Sequence, residues 1–135
     1  MNNSNISGDV LTGAGDDTIT NNADISGNVS LGTGNDTYIS SSAFFIFGMT
    51  IDGGDGNDVI QVGGGDQTIQ GGAGIDIAVY NDNRVVYDVT ETGGVVTVVD
   101  TIVNIGLDDT LTDICLLYTS PSPRDLSTSR MPSSA

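Results

Sequence analysis

The sequence predicts an all-β fold in which short strands and tight turns repeat as the coils of a parallel solenoid. Three observations lead to this prediction. Glycine is abundant, with 19 residues in a chain of 135. Nonapeptides with glycines at fixed positions follow one another, as at 53–61 (GGDGNDVIQ) and 71–79 (GGAGIDIAV). The eighth position of the units is usually a large apolar residue, which would turn inward from a very short strand.

Each nonapeptide is a turn followed by a few extended residues. Glycine at the first, second and fourth positions permits backbone angles that residues with a Cβ avoid, so the chain can turn sharply and direct carbonyl oxygens toward one point. The Asp at the sixth position faces the same point. One unit is too small to bury a core, so we expect the units to be stable only when they stack.

Units that carry the Asp alternate with weaker units that lack it. The competent units are 12–20, 31–39, 53–61 and 71–79, and the intervening ones are 3–11, 22–30, 44–52 and 62–70. One coil therefore contains two units, with two strands and two turns, and successive coils pair as parallel strands about 4.8 Å apart. This period predicts one column of carboxylates along one edge of the spiral, formed by Asp17, Asp36, Asp58 and Asp76.

Such a column requires a counter-charge. Two carboxylates about 4.8 Å apart repel by roughly 3.5 kcal/mol at an effective dielectric of 20. Carbonyl and carboxylate oxygens suit a hard cation, above all Ca²⁺. We expect up to three Ca²⁺ ions, between Asp17 and Asp36, between Asp36 and Asp58, and between Asp58 and Asp76. The candidate ligands are these four Asp and the turn glycines Gly13, Gly15, Gly32, Gly34, Gly53, Gly54, Gly56, Gly71, Gly72 and Gly74.

The opposite edge lacks the carboxylate column. Ile6, Ile25 and Ile46 predict an apolar ladder there, with at most a weak extra site near Asp66. We expect residues 40–43 to form a loop, and the Phe-rich run 44–47 to be a local core patch.

From Tyr80 onward the repeat gives way to a predicted cap. Residues 84–90 and 95–100 are predicted strands joined through 91–94 as a β-hairpin, and 109–114 follow. We divide the chain into calcium-binding repeats (1–79), a capping β segment (80–114) and a tail (115–135). The tail holds all three Pro, two of the three Arg and no Gly, and it resembles translated sequencing-library adapter, so we expect it to be non-native and disordered.

Composition excludes several functions. The net charge of −15 argues against nucleic-acid binding, which needs clusters of Lys and Arg. The absence of His and the single Cys, Cys115, exclude the usual zinc ligand sets, His-based catalytic triads and disulfide staples. The sequence contains no recognisable transmembrane run or secretory signal peptide. We therefore expect no enzymatic activity in this chain.

The nonapeptides resemble the repeats-in-toxin, or hemolysin-type, family of calcium-binding repeat proteins. The match is most specific at 53–79 and extends over about 3–114, with a run at 25–37 that also resembles autotransporter-like surface solenoids. The resemblance implies a β-roll in a secreted or surface-located bacterial protein, exported by type I secretion machinery as part of a longer chain. It also implies repeats that are disordered without calcium and fold on binding it after export.

The sequence is also compatible with two other functions, and the glycine-rich units have one alternative structural interpretation. The chain could be a stalk segment of a bacterial surface adhesin. It could also be the C-terminal secretion module of an exported protease or lipase whose catalytic domain lies outside this sequence. A flexible linker is disfavoured, because the glycine-rich units stay in frame with apolar residues at the eighth position.

Overall fold

The computed structural model describes residues 1, 3–40, 48–62, 65–80, 87–100, 108–114 and 116–119. Within these ranges the chain forms strands and no helix, and so offers no helical segment able to span a membrane. The strands are β1 (Val10–Ala14), β2 (Thr18–Asn21), β3 (Val29–Thr33), β4 (Thr37–Ser40), β5 (Met49–Asp55), β6 (Val59–Gln61), β7 (Gln67–Ala73), β8 (Ile77–Tyr80), β9 (Tyr87–Thr92), β10 (Val95–Asp100), β11 (Asp108–Thr112) and β12 (Leu116–Thr119).

The strands lie in two sheets, and in the repeat region successive strands alternate between them. One sheet has the order β1-β3-β5-β7-β11-β10-β9, and the other has the order β12-β8-β6-β4-β2. From β1 to β6, each strand pairs in parallel with the strand two places later, so that the pairings extend to β8. These are the stacked coils of a β-solenoid, and the predicted all-β parallel fold is confirmed.

The core lies between the two sheets and consists of in-register columns of apolar side chains. In the first sheet Val29 pairs with Ile51, Ile51 with Ile69, and Ile69 with Leu111, and all four are buried. The second sheet contributes a column of buried residues that begins at Tyr38 and continues through Ile60 and Ala78. Strand side chains alternate between core and solvent, so each short strand adds one or two residues to these columns.

The glycines of the turns allow the coils to stack closely. Gly54 has φ +98°, and a Cβ there would collide with the carbonyl oxygen of Gly32 in the preceding coil. Gly56, at φ +141°, would collide with the carbonyl of Gly34 in the same way. A side chain at these positions is therefore excluded both by the backbone conformation and by the neighbouring coil.

The predicted C-terminal hairpin is present as β9 and β10, joined by Gly93 and Gly94. Both glycines have positive φ, at 62° and 85°, as a two-residue type I′ turn requires. Strand β11 pairs in parallel with β7 and antiparallel with β10, so the hairpin extends the larger sheet beyond the repeats. The strand expected at 84–90 is observed over Tyr87–Thr92, and residues 81–86 lie outside the described part of the chain.

Regular structure continues beyond the boundary placed at residue 115. Leu116–Thr119 forms β12, which pairs in parallel with β8 and covers the edge of the smaller sheet. The run Leu-Leu-Tyr-Thr favours a strand, although the composition of the segment as a whole does not resemble the repeats. Cys115 and residues 120–135 lie outside the described residues, as do Ile46, most of the predicted loop 40–43 and the Phe-rich run.

Candidate cation sites along one edge of the solenoid

The four repeat Asp residues lie in one column. Each immediately precedes a strand of the smaller sheet: Asp17 before β2, Asp36 before β4, Asp58 before β6 and Asp76 before β8. The first residues of these strands are in register from coil to coil, which stacks the preceding Asp residues as the sequence period predicted.

Backbone hydrogen bonds connect the carboxylates along the column. Asp36 Oδ1 accepts from the N–H of Asp17 at 2.7 Å. Asp58 Oδ1 accepts from the N–H of Asp36, and Asp76 Oδ1 accepts from the N–H of Asp58, both at 2.8 Å. Asp36, Asp58 and Asp76 thus each use one carboxylate oxygen to bind the backbone of the coil before. Repeat period and charge predict only repulsion between these groups, whereas the structure shows that their oxygens also bind the backbone of the neighbouring coil.

The second oxygen of each carboxylate is buried and lacks a hydrogen-bond partner among the described residues. Asp36 is 1% exposed, and Asp58 and Asp76 are 0% exposed. Asp17, in the first coil, is half-buried. A buried carboxylate oxygen without a partner is costly, and a bound cation is one of the few ways to offset that cost.

The surroundings of Gly53 show where the buried oxygen of Asp58 points. A methyl group placed on Gly53 would lie 2.5 Å from Asp58 Oδ2 and 2.6 Å from the carbonyl oxygen of Gly71 in the next coil. A carboxylate oxygen and a carbonyl oxygen therefore face the same small volume, which is open because position 53 has no side chain. Calcium binds oxygens of both kinds at about 2.3–2.6 Å.

The predicted glycines have two separate roles. Gly53 and Gly71, at the first position, are buried and leave space beside the carboxylates. The glycines at the second and fourth positions have positive φ and lie near the ends of the strands or in the turns that follow: Gly13, Gly15, Gly32, Gly34, Gly54, Gly56, Gly72 and Gly74.

The coil that contains Asp17 differs from the two Gly-Gly coils. Its first position is Thr12, whose hydroxyl donates a hydrogen bond to the carbonyl of Leu31 in the next coil. In the coil of Asp58 the corresponding carbonyl, that of Gly71, faces the carboxylate instead. The oxygens around Asp17 are therefore arranged differently from those around Asp58, although both coils carry the sixth-position Asp.

A second ladder runs beside the column on the exposed side of the turn. Asp16 Oδ1 accepts from the N–H of Asn35, Asn35 Oδ1 from that of Asn57, and Asn57 Oδ1 from that of Ile75, at 2.8, 2.8 and 2.9 Å. These side chains bind the following coil, in the opposite direction to the buried Asp column. Because these side chains are exposed and hydrogen-bonded, they do not require a bound cation.

Burial raises the pKa of Asp58, since the charged form loses its hydration. The hydrogen bond from the Asp36 backbone offsets part of this rise in pKa, and the charges of Asp76, Asp36 and Asp52 add to it. Burial likewise raises the pKa of Asp76, where the Asp58 backbone bond opposes the rise and the charge of Asp113 reinforces it. Both sites thus favour a positive charge, whether a proton or a metal ion.

On the opposite edge, the sequence did not point to the buried carboxylate of Asp109. Asp109 Oδ1 accepts from the N–H of Gln67 at 2.6 Å, and Oδ2 accepts from the hydroxyl of Tyr80 at 2.8 Å. Protein groups thus bond both oxygens of this carboxylate, unlike those of the Asp column. Ile6 and Ile25, expected in an apolar ladder, form a parallel bridge. Asp66, near which a weak site was expected, accepts a backbone bond from Gly48 through its carbonyl.

The candidate sites contain oxygen donors and few side chains each. Among the described residues, no three His, Cys, Asp or Glu side chains converge as in a conventional metal cluster. A cation in the column would instead be held by a carboxylate together with backbone carbonyls, with water completing the shell. This donor set fits calcium and fits soft or borderline metals poorly.

No protein-family model matches the chain, and no curated protein matches it. The geometry of the site and the repeat pattern are therefore what indicate a function.

Proposed function

We propose that this chain is a calcium-binding β-roll module that is disordered without calcium and folds when calcium binds. The observation that carries the proposal is the column of carboxylates formed by Asp17, Asp36, Asp58 and Asp76, each with one buried oxygen that lacks a hydrogen-bond partner among the described residues. Asp58 Oδ2 and the Gly71 carbonyl oxygen both face the space beside Gly53. Two acceptor oxygens around one open volume favour a bound cation there.

The charge of the chain supports the coupling between binding and folding. Stacking the coils brings the four Asp into one column and removes most of them from water, within a chain of net charge −15. Without a cation, the repulsion and the lost hydration oppose stacking. Since a site made from two successive coils does not exist in the unfolded chain, the free energy of calcium binding becomes free energy of folding.

Calcium suits this site better than magnesium. Magnesium requires near-ideal octahedral geometry and gives up its water reluctantly, whereas calcium accepts irregular shells rich in carbonyl oxygens. Extracellular modules commonly bind calcium with dissociation constants of about 10⁻⁴–10⁻³ M, so such sites fill outside the cell and stay empty in the cytosol. This difference would keep the chain unfolded until export. Secretion through type I machinery, a bacterial source and extracellular location form part of the proposal and rest on the repeat resemblance.

Calcium titration of the full chain tests the proposal. Far-UV circular dichroism should change from coil to β as calcium reaches millimolar concentration, and isothermal titration calorimetry should report binding over the same range. The same concentration of magnesium should produce little change. A β spectrum in chelator that calcium does not alter, with no heat of binding, would exclude the proposal.

Two Asp-to-Asn variants separate a site effect from a change in net charge. Asp58→Asn preserves the acceptor for the Asp36 N–H but removes the buried charge, so the calcium midpoint should rise by about tenfold or more, equivalent to about 1.4 kcal/mol. Asp16→Asn removes the same charge from the exposed ladder and introduces the residue that the next two coils have there, Asn35 and Asn57. Its midpoint should match that of the unmodified chain.

A further inference from the structure

We propose that a further calcium site closes the repeat array at its junction with the C-terminal segment, between the carboxylate of Asp76 and the backbone carbonyl of Asp113. This inference rests on the proposed calcium binding and adds a site that the repeat motif does not encode. The nonapeptides end before Asp113, so sequence periodicity assigns it no ligand role.

The register of the strands places Asp113 where the next repeat would begin. Thr112 of β11 pairs with Gln70, and Leu116 of β12 pairs with Ile77. Only three residues of sequence separate Thr112 from Leu116, whereas six separate Gln70 from Ile77 in the coil before. Asp113 follows Thr112 as Gly71 follows Gln70, but the sequence after it lacks the repeat glycines and the sixth-position Asp.

The backbone of Asp113 is adapted to this short turn. Its φ of 56° lies in the left-handed region, and among the described residues it is the one non-glycine with positive φ. Asp tolerates this conformation better than most residues. The sharp change of direction after Thr112 directs the Asp113 carbonyl toward the preceding coil.

Two oxygens meet beside Gly71 as two others meet beside Gly53. A methyl group on Gly71 would lie 2.7 Å from Asp76 Oδ2 and closer still to the carbonyl oxygen of Asp113. Asp76 is fully buried, and Oδ2 has no hydrogen-bond partner among the described residues. The buried, unpartnered oxygen is thus directed at a volume that a backbone carbonyl also faces, which is the arrangement found at Asp58 and Gly71.

The charge of Asp113 strengthens the argument for a cation. Its own side chain is exposed, yet its charge adds to the rise in the pKa of the Asp76 carboxyl. Two negative groups and a carbonyl at one end of the column favour a divalent ion, with water completing the coordination. Such an ion would join the last repeat to β11, and through β11 to the hairpin, so calcium would also control docking of the C-terminal segment.

A matched pair of space-filling variants tests the site. Gly71→Ala places a methyl group in the junction site, and Gly53→Ala places one in the site between Asp58 and the Gly71 carbonyl. Neither glycine has positive φ, so alanine introduces no backbone strain of that kind. The readouts are calcium bound per chain, by equilibrium dialysis, and amide hydrogen exchange in 108–112.

The expected result is that each variant binds one calcium fewer than the unmodified chain, and that only Gly71→Ala loses amide protection in 108–112. Asp76→Asn serves as a second variant if Gly71→Ala fails to fold, because the Asn retains an acceptor for the Asp58 N–H. It should also lose one ion and the protection of 108–112. The junction site is excluded if the unmodified chain binds calcium and the folded Gly71→Ala variant binds the same number of ions. Where Gly71→Ala does not fold, the same result from Asp76→Asn excludes the site. If the unmodified chain binds no calcium, the proposed function itself fails.

Discussion

Asp76 Oδ1 accepts a 2.8 Å hydrogen bond from the backbone N–H of Asp58, so a carboxylate of one coil binds the backbone of the coil before it. The same bond recurs between Asp58 and Asp36 and between Asp36 and Asp17. Asp36, Asp58 and Asp76 therefore each contribute to stacking with one carboxylate oxygen and leave the other for a cation. These two contributions can be separated by substitution.

Asp36 offers the clearest separation, because it is 1% exposed and lies inside the column. Asp36→Asn should weaken calcium binding but preserve an acceptor for the Asp17 N–H. Asp36→Ala should lose both, and the unsatisfied N–H should cost about a further 1–3 kcal/mol. Urea unfolding in saturating calcium would measure the difference in the free energy of unfolding between the two variants. Equal unfolding free energies would show that this hydrogen bond contributes nothing to stacking.

Much of the architecture could be predicted from the sequence, because a repeat fixes its own register. Once the period between Asp17 and Asp36 is known, stacking the coils places both on the same edge, and the apolar eighth positions must face inward. The hairpin could also be predicted from the sequence, since Gly93 and Gly94 separate two runs of residues that favour strands. These predictions depend on local pattern and on period alone.

The remaining features depend on contacts that no period specifies. Which carboxylate oxygen binds which backbone N–H follows from the stagger of adjacent coils. The bond between Tyr80 and Asp109 joins residues 29 positions apart in different elements. Asp113 lies outside the repeat, and its position becomes evident only from the register of β11 on β7. The composition of residues 115–135 predicts a tail and not a strand. Strand β12 forms because it pairs with the edge of β8, and composition does not show that this edge is open.

The close stacking of turn glycines gives a second prediction, from two glycines at the same repeat position. Gly13 and Gly32 have similar φ, +107° and +105°, but a Cβ at Gly13 meets nothing within 4 Å, whereas one at Gly32 collides with the carbonyl of Gly13. Gly13→Ala should cost about 1–3 kcal/mol, from the unfavourable backbone conformation alone. Gly32→Ala should cost clearly more, because the coils must separate.

Thermal unfolding of these two variants in saturating calcium, followed by far-UV circular dichroism, would measure both effects. The unmodified chain provides the reference melting temperature. Similar losses in the two variants would mean that backbone conformation, and not contact between coils, determines the need for glycine at this position.

The raised pKa values of Asp58 and Asp76 give a third prediction, for the chain without calcium. A carboxyl whose pKa is higher in the folded state takes up a proton on folding. Its contribution to stability is therefore present below the unfolded pKa of about 3.9, and is lost as the pH rises through the folded pKa. Acidification should thus replace calcium in part, so the β signal should grow as the pH of a calcium-free solution falls from 7 toward about 4.

The double variant Asp58→Asn, Asp76→Asn provides the control, because its two amides do not titrate. The acid-induced gain in β signal should be smaller than in the unmodified chain, and substantial β structure should already be present at neutral pH without calcium. Circular dichroism across a pH series, with calcium removed by dialysis, would measure both chains. An unmodified chain that loses β signal over this acid range would contradict the prediction, since it would show that the buried carboxylates stabilise the fold in their charged form.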